Sequence, residues 1–194
     1  MPNLEKEIGF YAQYHNNPIN QWIHIIGVPI IMFTVLVWLQ SLPPFMAVDI
    51  SQGMLAYGPW HVNAALGVSL AYLLFFIYLE PFASVLYAPV VLGICYASEV
   101  FAANVENANM IALGLHVLAW VAQFIGHGVA EKRAPALLDS VAQAFLMAPL
   151  FVWLEVLFKL GYRKDLAQRI KTNAEKDIAK WKQSKSNTTV KKVK

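Results

Sequence analysis

The 194-residue chain has unusually little charge. Asp, Glu, Lys and Arg make up 14% of it, against about 25% in a soluble domain, and 58% of the residues are hydrophobic. This composition excludes an ordinary soluble domain and predicts an integral membrane protein. A chain of this length is enough for one compact membrane unit.

Two features typical of secreted proteins are also missing. The only cysteine, Cys95, lies in an apolar run, which excludes an intramolecular disulfide and favours a small core residue. No cleavable signal peptide is expected, because the first apolar run starts near Trp22, behind an acidic, amphipathic segment, and is long enough to span a membrane.

The few charges are unevenly distributed. From Arg163 onward, eleven Lys or Arg residues face three acidic residues, a balance of +8, which leaves about −5 for the body of a chain whose net charge is +3. A basic tail behind the last apolar run indicates a cytoplasmic end that rests on anionic lipid. Nucleic-acid binding is disfavoured, because the tail contains no recognisable binding module.

Apolar runs of helical length fill most of the body. We predict an all-α fold, an integral membrane helical bundle of four to five apolar helices with a short amphipathic N-terminal helix over residues 1–14. Residues 41–61, rich in Pro and Gly, are expected to form a loop with room for a short surface helix. The apolar runs are 22–40, 62–79, 82–103, 108–126 and 136–160.

Reactive side chains appear together where the fourth run ends. His127 and Glu131 are four residues apart, so on a continuing helix they share one face and can hold one metal ion. Gly126 and Gly128 flank the histidine and allow a bend or a close approach of another segment. An isolated H-x-x-x-E pattern is more often a surface pair or a helix cap, so the pair needs further ligands.

Two cations follow directly. Lys132 and Arg133 are natural partners for a substrate carboxylate beside such a metal site.

The number of predicted membrane crossings indicates which further ligands lie near this pair. If each of the first four runs crosses once, His15, His24, His127 and Glu131 lie at the same membrane face. Buried imidazoles in an apolar protein need partners, so this grouping is informative. His116 shares a helical face with His127 but lies about 16 Å away along a straight helix. It is therefore either a ligand across a helix break or a supporting residue.

Several metal chemistries agree with this set. Two or more histidines with a carboxylate and open positions suit non-haem Fe(II) and oxygen chemistry. Zinc stays open, although no H-E-x-x-H motif is present, and so does haem held by two histidines. The dense histidine boxes of membrane desaturases and hydroxylases are absent.

Two blocks carry a family resemblance. FYAQYHNNPINQWIH (10–24) and WVAQFIGHGVAEKRAPALLDSVAQAFLMAPLFVWLEVLF (120–158) resemble the membrane 2-hydroxy fatty acid dioxygenases of fatty acid α-oxidation. The likeness extends to about residue 161; between the blocks it consists only of apolar helices. It implies a membrane-embedded catalytic domain over 1–161 and a basic tail, partly helical or disordered, over 162–194.

The resemblance further implies an Fe(II)-dependent enzyme. Its substrates are O2 and a long-chain 2-hydroxy fatty acid, which it shortens by one carbon without 2-oxoglutarate during phytosphingosine breakdown. The family motifs are matched at four positions, and His116 is included as a further candidate ligand. Together with the residue patterns above, the candidate catalytic residues are His24, His127 and Glu131, the candidate metal ligands are His15, His24, His116, His127 and Glu131, and the candidate carboxylate partners are Lys132 and Arg133.

The same resemblance places the protein in the endoplasmic reticulum membrane if its source is eukaryotic, and in the inner membrane otherwise. Lys191, Lys192, Val193 and Lys194 match a dilysine retrieval pattern, which chance explains equally well in so lysine-rich a tail. Two rival classes stay open. One is a non-enzymatic lipid carrier or scaffold with structural histidines, and the other is a bis-histidine haem protein.

Overall fold

A computed structural model describes residues 4–44, 46–49, 59–134 and 143–192. The chain divides into two compact units: unit 1 combines Met1–Ile25 with Gln123–Lys194, and unit 2 is Ile26–Ala122. The elements in chain order are α1 (Leu4–Ala12), α2 (Pro18–Gln40), β1 (Met46–Asp49), β2 (Pro59–Val62), α3 (Ala64–Leu79), α4 (Pro81–Asn104), α5 (Ala108–Ile125), a π-helix (Gly126–Glu131), a second π-helix (Gln143–Met147), α6 (Ala148–Lys159) and α7 (Lys164–Lys192).

The predicted helical membrane fold is confirmed. Three helices are long and apolar enough to cross a membrane: Pro18–Gln40, Pro81–Asn104 and Ala108–Glu131. The segments Phe145–Lys159 and Lys164–Lys185 are separated by a bend of 115° and add a fourth span if they count as one broken crossing. With the shorter α3, the described residues contain five apolar helices behind the amphipathic α1.

Unit 2 is built around the hairpin of α3 and α4. Pro81 starts α4 directly after the turn at Glu80, a position where its missing N–H costs no hydrogen bond. Leu36, Ala65 and Cys95 form a buried cluster, so the cysteine is the small core residue that the sequence suggested. Large apolar side chains such as Leu74 point outward, as expected of a surface that faces lipid.

The connection before α3 differs from the prediction. Residues 41–61 were expected to be a loop, but β1 and β2 pair as a short antiparallel hairpin with Met46 opposite Val62. The alternation of apolar and polar side chains is too short here to predict strands, and the Pro and Gly residues of this segment are typical of a loop. The short surface helix that we considered would fall mainly on residues 50–58, which lie outside the described ranges.

Unit 1 includes the helical tail. α7 packs on α1 by burying Leu166, Ile170 and Ala174, one residue per turn. On the exposed side, Arg169 pairs with Glu5 of α1 at 3.2 Å. The tail therefore joins the amphipathic N-terminal helix. The division of the chain into a catalytic domain ending at 161 and a separate tail stays a prediction.

Candidate metal centre

Three histidines of unit 1 come together in the interior. His15, His24 and His127 are 5%, 5% and 3% exposed, and one ring nitrogen of each lies within 4.8 Å of those of the other two. Their ring centroids are 4.3 to 4.9 Å apart, and the rings are nearly perpendicular to one another. Three imidazole nitrogens that converge in this way can hold one metal ion.

Backbone carbonyls fix the protonation pattern of two of these rings. Nδ1 of His15 lies 3.0 Å from the carbonyl oxygen of Tyr11, and Nδ1 of His24 lies 3.0 Å from that of Asn20. A carbonyl oxygen only accepts, so each Nδ1 must donate its hydrogen and each Nε2 must carry the lone pair. In many metal proteins, a hydrogen bond donated by the ring nitrogen that does not bind the metal orients the ligating imidazole.

Unpartnered nitrogens show that the residues fit a metal. Nε2 of His15 and Nδ1 of His127 are buried and have no hydrogen-bond partner among the described residues. An unsatisfied buried nitrogen costs free energy, which coordination to a cation offsets.

Electrostatics favours the same state at His15. Burial lowers the pKa of His15 well below its usual value, and the neighbouring rings of His24 and His127 lower it further. The imidazole is therefore neutral at physiological pH, the form that binds a metal.

A π-helix presents His127. It runs from Gly126 to Glu131, where the sequence suggested a bend. A Cβ on Gly126 would lie 2.5 Å from Oδ1 of the fully buried Asn20, so only glycine permits this approach of the π-helix to α2. The π-helix ends at Lys132, which has a φ of +52° and donates its N–H to the carbonyl of His127.

Glu131 connects the two motifs. Its Oε1 accepts hydrogen bonds from the backbone N–H of Asn17 at 2.8 Å and from Nδ2 of Asn20 at 3.2 Å. Asn17 also donates to the carbonyl of Ala130. The carboxylate thus joins the π-helix to the turn between His15 and α2, and the structure does not bring it into the group of three ligand atoms.

His116 is also outside that group. It lies in unit 2, where its Nδ1 donates to Oγ1 of Thr34 at 2.8 Å and its Nε2 accepts from Nε1 of Trp120 at 3.0 Å. Both nitrogens are used by these bonds, so ligation through His116 requires breaking one of them.

Arg133 and Lys132, the two candidate partners of a substrate carboxylate, have different surroundings. The guanidinium of Arg133 lies 3.7 Å from the ring centroid of Tyr14 and 4.9 Å from that of Trp181. It also borders a cavity of about 300 Å³ together with Glu131. Lys132 is exposed. Their role in holding a carboxylate stays a prediction.

Four residues of this region were given no functional role on the basis of the sequence. Asn17 and Asn20 lie between two histidines of the first motif, and this position was a usable signal. Tyr11 stacks on His15 at 3.8 Å with an interplanar angle of 13°. Glu155, a carboxyl group in an apolar run, lines a cavity together with Tyr11 and His15.

Comparisons with known proteins identify the family of this chain. Residues 1–160 match the family described as "2-hydroxy-palmitic acid dioxygenase Mpo1-like". The chain is 33% identical over 178 residues to the 2-hydroxy-palmitic acid dioxygenase MPO1 of Saccharomyces cerevisiae, an alignment that covers 91% of this chain and 90% of the yeast protein. No solved structure matches. The family match over residues 1–160 includes both histidine motifs, and on these grounds the chain belongs to the Mpo1-like family.

Proposed function

We propose that this protein is an iron-dependent dioxygenase that converts long-chain 2-hydroxy fatty acids into the fatty acid one carbon shorter. The observation that carries the proposal is the buried group of His15, His24 and His127, in a chain 33% identical to an enzyme named as a 2-hydroxy-palmitic acid dioxygenase. The proposed setting is phytosphingosine breakdown in the endoplasmic reticulum membrane, where membrane lipid surrounds the apolar helices.

The composition of the ligand set supports an anionic chelating substrate. Three neutral imidazoles leave the full charge of a divalent ion uncompensated, and Glu131 is occupied with Asn17 and Asn20. The carboxylate and the 2-hydroxyl of one substrate molecule can together supply charge and two oxygen ligands. Iron bound by the three imidazoles would supply the site for oxygen and for electron transfer.

The overall reaction balances without a second reductant. One 2-hydroxy acid and one O2 give the acid shortened by one carbon, one CO2 and one water. The C1–C2 bond breaks, and the substrate itself provides the four electrons that reduce the oxygen. This balance supports activity without 2-oxoglutarate.

The protein's own residues would position this chemistry. His15 and His24 keep fixed orientations through their Nδ1–H bonds to backbone carbonyls, and the three rings are shielded from water. Arg133 and Lys132 are proposed to steady the substrate carboxylate. His116 is proposed to support the fold of unit 2, because Thr34 and Trp120 engage its ring.

Metal analysis and product analysis together test the proposal. Full-length protein, purified in detergent and loaded anaerobically with Fe(II), should contain about one iron per chain and convert 2-hydroxypalmitate to pentadecanoic acid without added 2-oxoglutarate. His127→Ala should lose both the iron and the activity, whereas His116→Ala should keep the iron. Full wild-type activity after complete removal of iron would contradict the proposal, and bound zinc without oxygen consumption would redirect it to hydrolysis.

A further inference from the structure

A cavity of about 440 Å³ lies against His15 within unit 1. α1, the turn after it, α6 and α7 supply its walls, which include the apolar side chains of Ile8, Phe158 and Ile170. Lys159 and Lys171 are exposed cations at its border. An apolar cavity of this size beside a candidate metal ligand suits the first carbons of a fatty acid whose head group lies at the metal centre.

Two residues that line this cavity each carry a polar atom without a partner among the described residues. The hydroxyl oxygen of Tyr11 and Oε2 of Glu155 are buried, and neither has a hydrogen-bond partner among the described residues. Tyr11 is only 6% exposed. A buried polar group without a hydrogen bond costs about 1–3 kcal/mol, so two of them on residues that line one cavity are favourable partners for a polar ligand.

The packing of Tyr11 places this wall beside the metal centre. Its ring stacks on the ring of His15 with the two centroids 3.8 Å apart. The centroid of the Phe151 ring lies 5.2 Å from that of Tyr11. Phe151 lies one helical turn before Glu155 on α6. Tyr11 therefore lies between the candidate metal ligand and the helix face that carries the carboxyl group.

We propose that Tyr11 and Glu155 recognise the 2-hydroxyl group of the fatty acid and so select 2-hydroxy acids over unsubstituted ones. A hydroxyl group both donates and accepts, so it can donate to Oε2 of Glu155 while it accepts from the Tyr11 hydroxyl. A plain fatty acid presents a methylene group at the same place and leaves both buried atoms unsatisfied. Sites that hydrogen-bond a substrate hydroxyl reject the analogue that lacks it for this reason.

This inference rests on the proposed function but is tested separately by binding. 2-Hydroxypalmitate and palmitate compete with a fluorescent fatty acid for the full-length, iron-loaded protein under anaerobic conditions, where no turnover occurs. The wild type should prefer the 2-hydroxy acid by about tenfold or more, since a net hydrogen bond contributes about 0.5–1.5 kcal/mol and two are expected. Equal affinities in the wild type would overturn the inference.

Matched variants test whether Tyr11 and Glu155 cause the preference for the 2-hydroxy acid over palmitate. Tyr11→Phe keeps the ring on His15 and should reduce the preference by about three- to tenfold, because only the hydroxyl is lost. Glu155→Leu should do the same and should also leave palmitate binding equal or tighter, since the wall becomes apolar. A merely structural role does not produce this gain. Tyr78→Phe, a change at a residue 58% exposed on α3, is the control and should leave the preference unchanged.

Iron content and thermal unfolding of each variant confirm that the metal centre is intact before binding is compared. A preference unchanged in both folded variants would overturn the inference even if the wild type turns over 2-hydroxypalmitate. Conversely, a preference that falls in both variants while the wild type shows no oxygenase activity supports this recognition site and rejects the proposed reaction.

Discussion

Replacing Glu131 separates two roles that its position allows. Glu131→Ala removes the acceptor of two hydrogen bonds, from the Asn17 N–H and the Asn20 side chain. Bonds to a charged group contribute about 1.5–3 kcal/mol each, and partial exposure puts the pair at the lower end, about 3 kcal/mol together. For a chain of this size that corresponds to a fall in Tm of about 6–12 °C. Iron affinity should fall about 10- to 100-fold, as when supporting residues of metal ligands are changed.

Glu131→Gln is the informative comparison. The amide oxygen can still accept both hydrogen bonds, so this variant should lose less than half as much Tm as Glu131→Ala and keep most of its iron. The assays are thermal unfolding in detergent and elemental analysis, with Glu175→Gln on the exposed side of α7 as the control. If both Glu131 variants lose iron to the same extent as His127→Ala, the carboxylate is itself a metal ligand, and a purely supporting role for Glu131 is refuted.

Further outcomes follow from the same geometry. Gly126→Ala should lower stability by about 1–3 kcal/mol through overpacking against α2, whereas Gly128→Ala, with no atom within 4 Å of the added carbon, should change Tm little in the same unfolding assay. Acidification below about pH 6.5 should lower the stability of the iron-free protein, because the pKa of His15 is depressed in the folded state and only the unfolded chain takes up that proton; unfolding at pH 7.5 and 5.5 checks the sign. Arg133→Lys keeps the charge but loses the planar contact with Tyr14, and should lower Tm by about 1–4 °C without loss of iron by elemental analysis.

Apolar composition was enough to predict the helical membrane fold. Long apolar runs can satisfy their backbone only as helices, so the positions of α2, α4 and α5 followed from the sequence within a few residues. The first span begins at Pro18 rather than near Trp22, because Pro fits the first turn of a helix and Asn17 caps it by accepting from the N–H of Ile19.

Only part of the candidate site could be predicted from the sequence. The predicted number of membrane crossings placed His15, His24 and His127 at one membrane face, and the structure brings these three together. The change from α- to π-helix at Gly126 was hidden, because it depends on packing against Asn20 rather than on local propensity. The hydrogen bonds of Glu131 were hidden for the same reason, since their donors lie 111 and 114 residues away in the chain.

The short α3 has a consequence for the lipid around the protein. Its 16 residues rise about 24 Å, whereas a typical hydrocarbon core is about 30 Å thick. A crossing by α3 would therefore leave a hydrophobic mismatch of about 6 Å, which local thinning of the bilayer relieves and which is smaller where the membrane is already thin. The endoplasmic reticulum bilayer is about 27 Å thick and the plasma membrane about 32–33 Å. If α3 crosses, hydrophobic mismatch favours a thin membrane over a thick, sterol-rich one.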